Sequence, residues 1–142
     1  MRKLAVLAAG TLLACIVSAA LAQDFRQASP SGAKVYFIEP KNGAQISGPV
    51  TVKFGLIAMG VAPAGVEKKD TGHHHLLIDQ KLADDKAPIP QDDKHRHFGM
   101  GQTETTVTLA PGQHTLQLVL GDHNHIPHNP MVASEVITIT VK

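Results

Sequence analysis

Val50-Thr51-Val52-Lys53-Phe54-Gly55-Leu56 alternates apolar and polar residues with a period of two. Successive side chains of a β-strand point to opposite faces, so Val50, Val52, Phe54 and Leu56 share an apolar face and Thr51, Lys53 and Gly55 the other. This is the pattern of a half-buried strand, and the same period recurs on both sides of it. Upstream, Val35-Tyr36-Phe37-Ile38 is a short β-rich run stopped by Pro40 and the Asn42-Gly43 turn signal. Downstream, His73 to Asp79 divides into His74, Leu76 and Ile78 on one face and His73, His75 and Leu77 on the other. Thr103 to Leu109 and Gln113 to Gly121 alternate again around Pro111-Gly112, which reads as a hairpin, and Ile137, Ile139 and Val141 close the pattern. No segment sustains a 3.6-residue period.

The expected fold is all-β, an antiparallel immunoglobulin-like β-sandwich of about seven strands over residues 35–142. The cysteine and tryptophan markers of antibody domains are missing, so this is a reading of architecture and not of descent. Between the strands, Ala58 to Gly72 and Asp122 to Pro130 read as polar loops. Gln80 to Gly101 is a long loop with room for one short strand, and loops of that length inside a compact domain usually carry function.

Residues 1–22 read as a signal peptide: Arg2-Lys3 is a basic n-region, Leu4 to Leu21 is apolar and small, and Ala20-Leu21-Ala22 is an A-x-A-type cleavage site. Periplasmic or secreted localisation follows, with no membrane span in the mature form. Cys15, after Leu12-Leu13-Ala14, offers a lipoprotein alternative that the apolar residues continuing to Leu21 disfavour. Gln23 to Lys34, with Ser29-Pro30-Ser31-Gly32, reads as a linker. Cleavage after Ala22 leaves about 120 residues, enough for one core, and no cysteine for a disulfide or thiolate site. Losing Arg2 and Lys3 takes the basic residues from 13 to 11 against 12 acidic ones, so the formal charge passes from +1 to −1. That balance and 4% aromatics without tryptophan argue against a nucleic-acid partner.

Eight of the nine histidines fall in three groups: His73, His74 and His75; His95 and His97; His123, His125 and His128. The hairpin reading places Gly99 to Gln102 beside Asp122, and antiparallel pairing of the third strand with the penultimate one places His73 to His75 beside Gly121, so the groups converge at one end. Neutral imidazole is the commonest protein ligand for late first-row metals. His73, His75, His97, His125 and His128 are the candidate ligands. Asp70 and Asp122 are candidates to ligate or to orient a ring, and Met100 and Met131 lie near the same groups in sequence. His74 reads as packing inside with Leu76, His95 and His123 as less secure, and His114 as outside the set.

Gly72-His73-His74-His75-Leu76-Leu77-Ile78-Asp79, His97-Phe98-Gly99 with Gly101-Gln102-Thr103, Pro111-Gly112-Gln113-His114-Thr115-Leu116, and His125 with Pro127-His128 resemble an uncharacterised bacterial family of exported domains of unknown function, family 4399. The resemblance covers nearly all of the mature chain and brings no established activity. It implies that His73, His74, His75, His97, His125 and His128 belong to the family pattern. Copper/zinc superoxide dismutases also mount histidines on a sandwich, but their disulfide cysteines and bridging-ligand spacing are not matched.

The expected function is an exported transition-metal-binding protein, copper first and zinc second by affinity order, serving carriage, buffering or delivery. Its partners would be the ion and another periplasmic or membrane metal-handling protein. Two alternatives stand beside it: an interaction module whose histidines brace loops or sense pH, and a metalloenzyme with an open coordination position. No His-Glu-x-x-His helix is present to specify the latter.

Overall fold

In a computed structural model, which describes residues 24–142, the Val50 to Leu56 alternation becomes the middle strand of the smaller of two sheets. The residues read as a signal peptide, with the expected cleavage site at Ala22 and with Cys15, lie outside the described residues. Among the described residues nine strands follow in order: β1 Lys34–Glu39, β2 Gln45–Ile46, β3 Val50–Ile57, β4 Gly60–Val61, β5 Thr71–Ile78, β6 His95–Phe98, β7 Glu104–Val107, β8 Gly112–Gly121 and β9 Ile137–Val141. The small sheet runs β1-β3-β7 and the large one β2-β9-β8-β5, with β4 and β6 both on the far edge of β5. The chain is thus an all-β sandwich with the strand order of the immunoglobulin type. The expected seven strands are present, and β2 and β4 add two-residue parallel pairings at the edges.

Between the sheets, Val35, Phe37, Val50, Val52, Phe54 and Val107 meet Leu76, Ile78, Leu116, Leu118, Leu120, Ile137, Ile139 and Val141. Apart from Val35 and Phe37, which belong to a run read only as β-rich, these are residues of the segments that alternate with a period of two. Each fully buried leucine among them stabilises the fold by about 1.5–3 kcal/mol relative to exposure.

The hairpin reading of Thr103 to Gly121 is corrected: β7 pairs with β3 in the small sheet, whereas β8 lies between β5 and β9 in the large one. Thr108 to Pro111 carries the chain across the sandwich, with Leu109 packed against the core on the way. Alternation reports that one face of a strand is buried, and a turn signal reports a reversal. Neither says whether the chain returns in the same sheet.

Two segments read as loops have a tertiary task. Every residue of β5 is buried, because its outward face is roofed as well as its core face. Leu77 and Val119 meet Ile89 there, with Leu82 and Ala133 alongside, so the 79–94 segment folds back over the sheet. The segment read as a linker lies along the domain: Ala28 bridges to Asn129, Ser29 N–H donates to Asn129 O at 3.1 Å, and Arg26 pairs with Asp85 at 2.8 Å.

Candidate metal centre

Under that roof the large sheet carries histidines where an outer face would ordinarily carry solvated polar groups. Register decides which ones. His75 is the Cα partner of His97 on β6, and His73 and His75 are the partners of Gly121 and Val119 on β8. Strand period then turns His73, His75 and His97 to the same outward side, and His74 into the core against the Phe54 ring at 5.0 Å.

The fourth ring arrives from above. His125 N–H donates to Asp122 O at 2.9 Å, while Asp122 Oδ1 accepts from Asn124 N–H at 2.8 Å and Ile126 N–H at 2.9 Å. This turn holds His125 at φ 67°, a left-handed conformation that costs a non-glycine residue about 1 kcal/mol or more. Ile89 N–H donates to His125 O at 2.8 Å, tying the roof to the turn.

The result is four imidazoles in mutual contact. Ring centroids are 4.8 Å apart for His73–His75, 5.0 Å for His73–His97, 4.9 Å for His73–His125, 5.1 Å for His75–His97, 4.8 Å for His97–His125 and 5.9 Å for His75–His125. Ligand nitrogens of His73, His97 and His125 lie within 4.8 Å of one another, a group able to hold a metal ion. His75 is not one of those three but stands beside them, its Nε2 3.0 Å from His73 Nε2. Among the described residues His73 Nδ1, His75 Nδ1 and His97 Nε2, like both ring nitrogens of His74 in the core, are buried without a hydrogen-bond partner, an arrangement that costs free energy unless another group satisfies the ring nitrogens.

Electrostatics keep the rings in the form that ligates. Burial pushes the His73 pKa down to about 4, with the neighbouring His125 and His97 adding to the effect and the Asp122 charge opposing it. Burial and the same neighbours push His75 to about 2, and burial followed by His125 lowers His97. All three rings are neutral at pH 7, with lone pairs available for coordination.

Two glycines make room for the rings. A Cβ at Gly121 would stand 3.0 Å from His75 Nε2 and 3.3 Å from His125 Cα. One at Gly99 would stand 2.3 Å from His97 Cε1 and 2.6 Å from its Nε2. Neither glycine was picked out as site-forming from sequence, although the pairing of His73 with Gly121 was the available signal.

The structure places the remaining candidates outside the four-ring cluster. His128 is buried, with Nε2 directed at Thr71 O, 3.2 Å away, and Nδ1 3.4 Å from Leu120 O, stitching β5 to the end of β8. His95 faces Asp92 at 2.9 Å, and His123 lies between the side-chain amides of Gln27 and Asn124. Asp122 shapes the His125 turn through main-chain N–H groups and makes no hydrogen bond to a ring. Met100 is 81% exposed. The three groups converge as expected, but His97 arrives by β6 pairing with β5 and not through a β7–β8 hairpin.

Residues 52–142 match the sequence profile of the Domain of unknown function (DUF4399). The chain belongs to that family. All four clustered histidines lie inside the DUF4399 match. No curated protein matches the chain. Among solved structures, the endo-beta-1,4-mannanase from Thermotoga petrophila is similar with 17% identity and a TM-score of 0.45, over 78% of this chain and 20% of the mannanase. The chain thus spans a fifth of that enzyme's length. The fibronectin(III)-like modules of Clostridium thermocellum CbhA are similar with 11% identity and a TM-score of 0.37, over 75% of this chain and 92% of the module.

Proposed function

We propose that this DUF4399 protein is exported and binds one late first-row transition ion, copper or zinc, through His73, His75, His97 and His125, for carriage, buffering or delivery. The observation that carries the reading is the packing of four imidazoles into one cluster, with the His97 Nε2 atom buried and unpartnered among the described residues. Imidazole suits both ions, and the mature chain supplies no thiolate to compete. With His75 added to the His73, His97 and His125 group, four protein donors would fill a four-coordinate sphere, which supports holding the ion over activating water at an open position. His73 and His75 are fully buried while His97 and His125 are half-buried, so exchange with a second metal-handling protein would proceed from the His97/His125 side. The basic n-region and the Ala20-Leu21-Ala22 site support export.

Elemental analysis of untagged protein exported by its native host, followed by titration of the stripped protein with Cu(I), Cu(II) and Zn(II), tests the reading. Saturable binding of one ion per chain, abolished in the His73→Ala/His75→Ala double variant with the β-sheet circular dichroism retained, is the expected result. Weak, non-saturating uptake sinks it. That outcome favours the interaction-module reading, to which the 3.0 Å hydrogen bond between the His73 and His75 rings lends its own support as a loop-bracing contact.

A further inference from the structure

The six ring separations define a shape as well as a cluster. With a metal–nitrogen bond of about 2.0–2.1 Å, each ring centroid stands about 3.2 Å from the ion. A tetrahedral arrangement then puts every pair of centroids about 5.2 Å apart, whereas a square arrangement gives four pairs near about 4.5 Å and two opposed diagonals near about 6.4 Å. Five of the observed pairs lie between 4.8 and 5.1 Å and one at 5.9 Å. The pair opposed to the longest, His73–His97, is 5.0 Å and not a second diagonal.

The fold explains why. His73 and His75 stand two residues apart on β5 and His97 stands beside them on β6, so three rings rise from one sheet face. His125 descends onto them from the Asp122 turn. Three donors from a floor and one from a roof enclose a tetrahedron, and a flat array would require the roof ring to enter the plane of the sheet. The surroundings resist that movement. His73 and His75 have no solvent exposure, His75 is pressed against Gly121, and the His125 main chain is tied to both Ile89 and Asp122.

Resting on the metal-binding reading above, we infer that the site is built for a tetrahedral divalent ion, zinc, and imposes a strained geometry on Cu(II), which prefers a tetragonal nitrogen field. Affinity order alone ranks copper first; ring geometry reverses the preference the scaffold was shaped to meet. The His73 and His75 Nε2 atoms need to separate by only a few tenths of an ångström from 3.0 Å to take two vertices, on the order of the adjustment expected when a shared proton is exchanged for an ion.

Cobalt(II) and copper(II) serve as spectroscopic probes of the stripped wild-type protein. One Co(II) per chain with the intense visible ligand-field bands of a tetrahedral ion, displaced stoichiometrically by Zn(II), is expected. Cu(II) should give the reduced parallel hyperfine splitting of a tetrahedrally distorted site. In His125→Ala the cobalt bands should collapse toward those of a more open, water-ligated ion. Saturable Co(II) binding with a weak six-coordinate spectrum, or a Cu(II) signal of regular square-planar nitrogen type, overturns the tetrahedral assignment and leaves metal binding standing. No saturable binding of Co(II), Cu(II) or Zn(II) overturns the underlying reading as well.

Discussion

His75 and His97 are Cα partners across the β5–β6 ladder, and their rings stand 5.1 Å apart on the roofed face of the large sheet. A residue two positions from His97 on the same strand, His95, is turned to Asp92 instead. His97→Ala should therefore lower metal affinity by more than the roughly 10–100-fold that loss of a partner merely orienting a ligand costs. His95→Ala should leave affinity unchanged. Competition titration against a chelator of known affinity separates them, and equal losses in both variants would dissolve the distinction between cluster and surface histidines.

Glycine at positions 99 and 121 is required by the rings, not by the turns. In Gly99→Ala the new methyl would occupy space now held by the His97 ring, 2.3 Å from Cε1, so the ring must swing out. We expect metal affinity to fall by roughly 10–100-fold with little change in melting temperature, because His97 is only half-buried. In Gly121→Ala the neighbours include His125 main chain, which yields less readily, and a stability loss of about 1–3 kcal/mol should accompany the weaker binding. Unchanged affinity in both variants would remove the glycines from the site.

Acid should destabilise the metal-free protein. His73 and His74 are held near pKa 4 mainly by burial, against an ordinary value of 6.5, so the unfolded chain binds protons that the folded one refuses. The stability present above pH 6.5 is lost progressively as pH falls toward about 4. Urea midpoints measured across that window should decline, and the decline should be smaller in His74→Phe, which removes one of the titrating groups. A flat profile would mean that the rings are solvated in solution.

His114 works with the opposite sign. Its Nε2–H donates to Ala110 O and its Nδ1–H to Asp79 Oδ2, each at 2.8 Å, and only the imidazolium can donate from both nitrogens. The Ala110 carbonyl and then the Asp79 carboxylate raise its pKa. Its contribution is present below pH 6.5 and is lost as pH rises through the folded value. Asp79→Ala, which also strips the Thr115 N–H of its acceptor at 2.9 Å, should cost about 1–2 kcal/mol near pH 6 and less near pH 8. An NMR titration of His114 that shows no upward shift in the wild type would contradict this.

Much of this protein was determined by local sequence. The period of two at Val50 to Leu56, His73 to Asp79, Gln113 to Gly121 and Ile137 to Val141 assigned the core faces, because strand geometry leaves a side chain only two directions to take. The same rule put His73 and His75 on one side of β5 and His74 on the other, and the expected β5–β8 pairing set His73 beside Gly121. What local sequence left open was every relation between segments that alternation does not encode. It did not say that β7 returns in the other sheet, that Ile89 brings the 79–94 segment over the outer face, or that Ala28 lies beside Asn129. His125 and His128 show the difference at its sharpest: three residues apart in one loop, they read alike as ligands. Only the fold, by bending the chain at Asp122 and laying Pro127 against Gly121, turned one ring into the cluster and the other toward main-chain carbonyls.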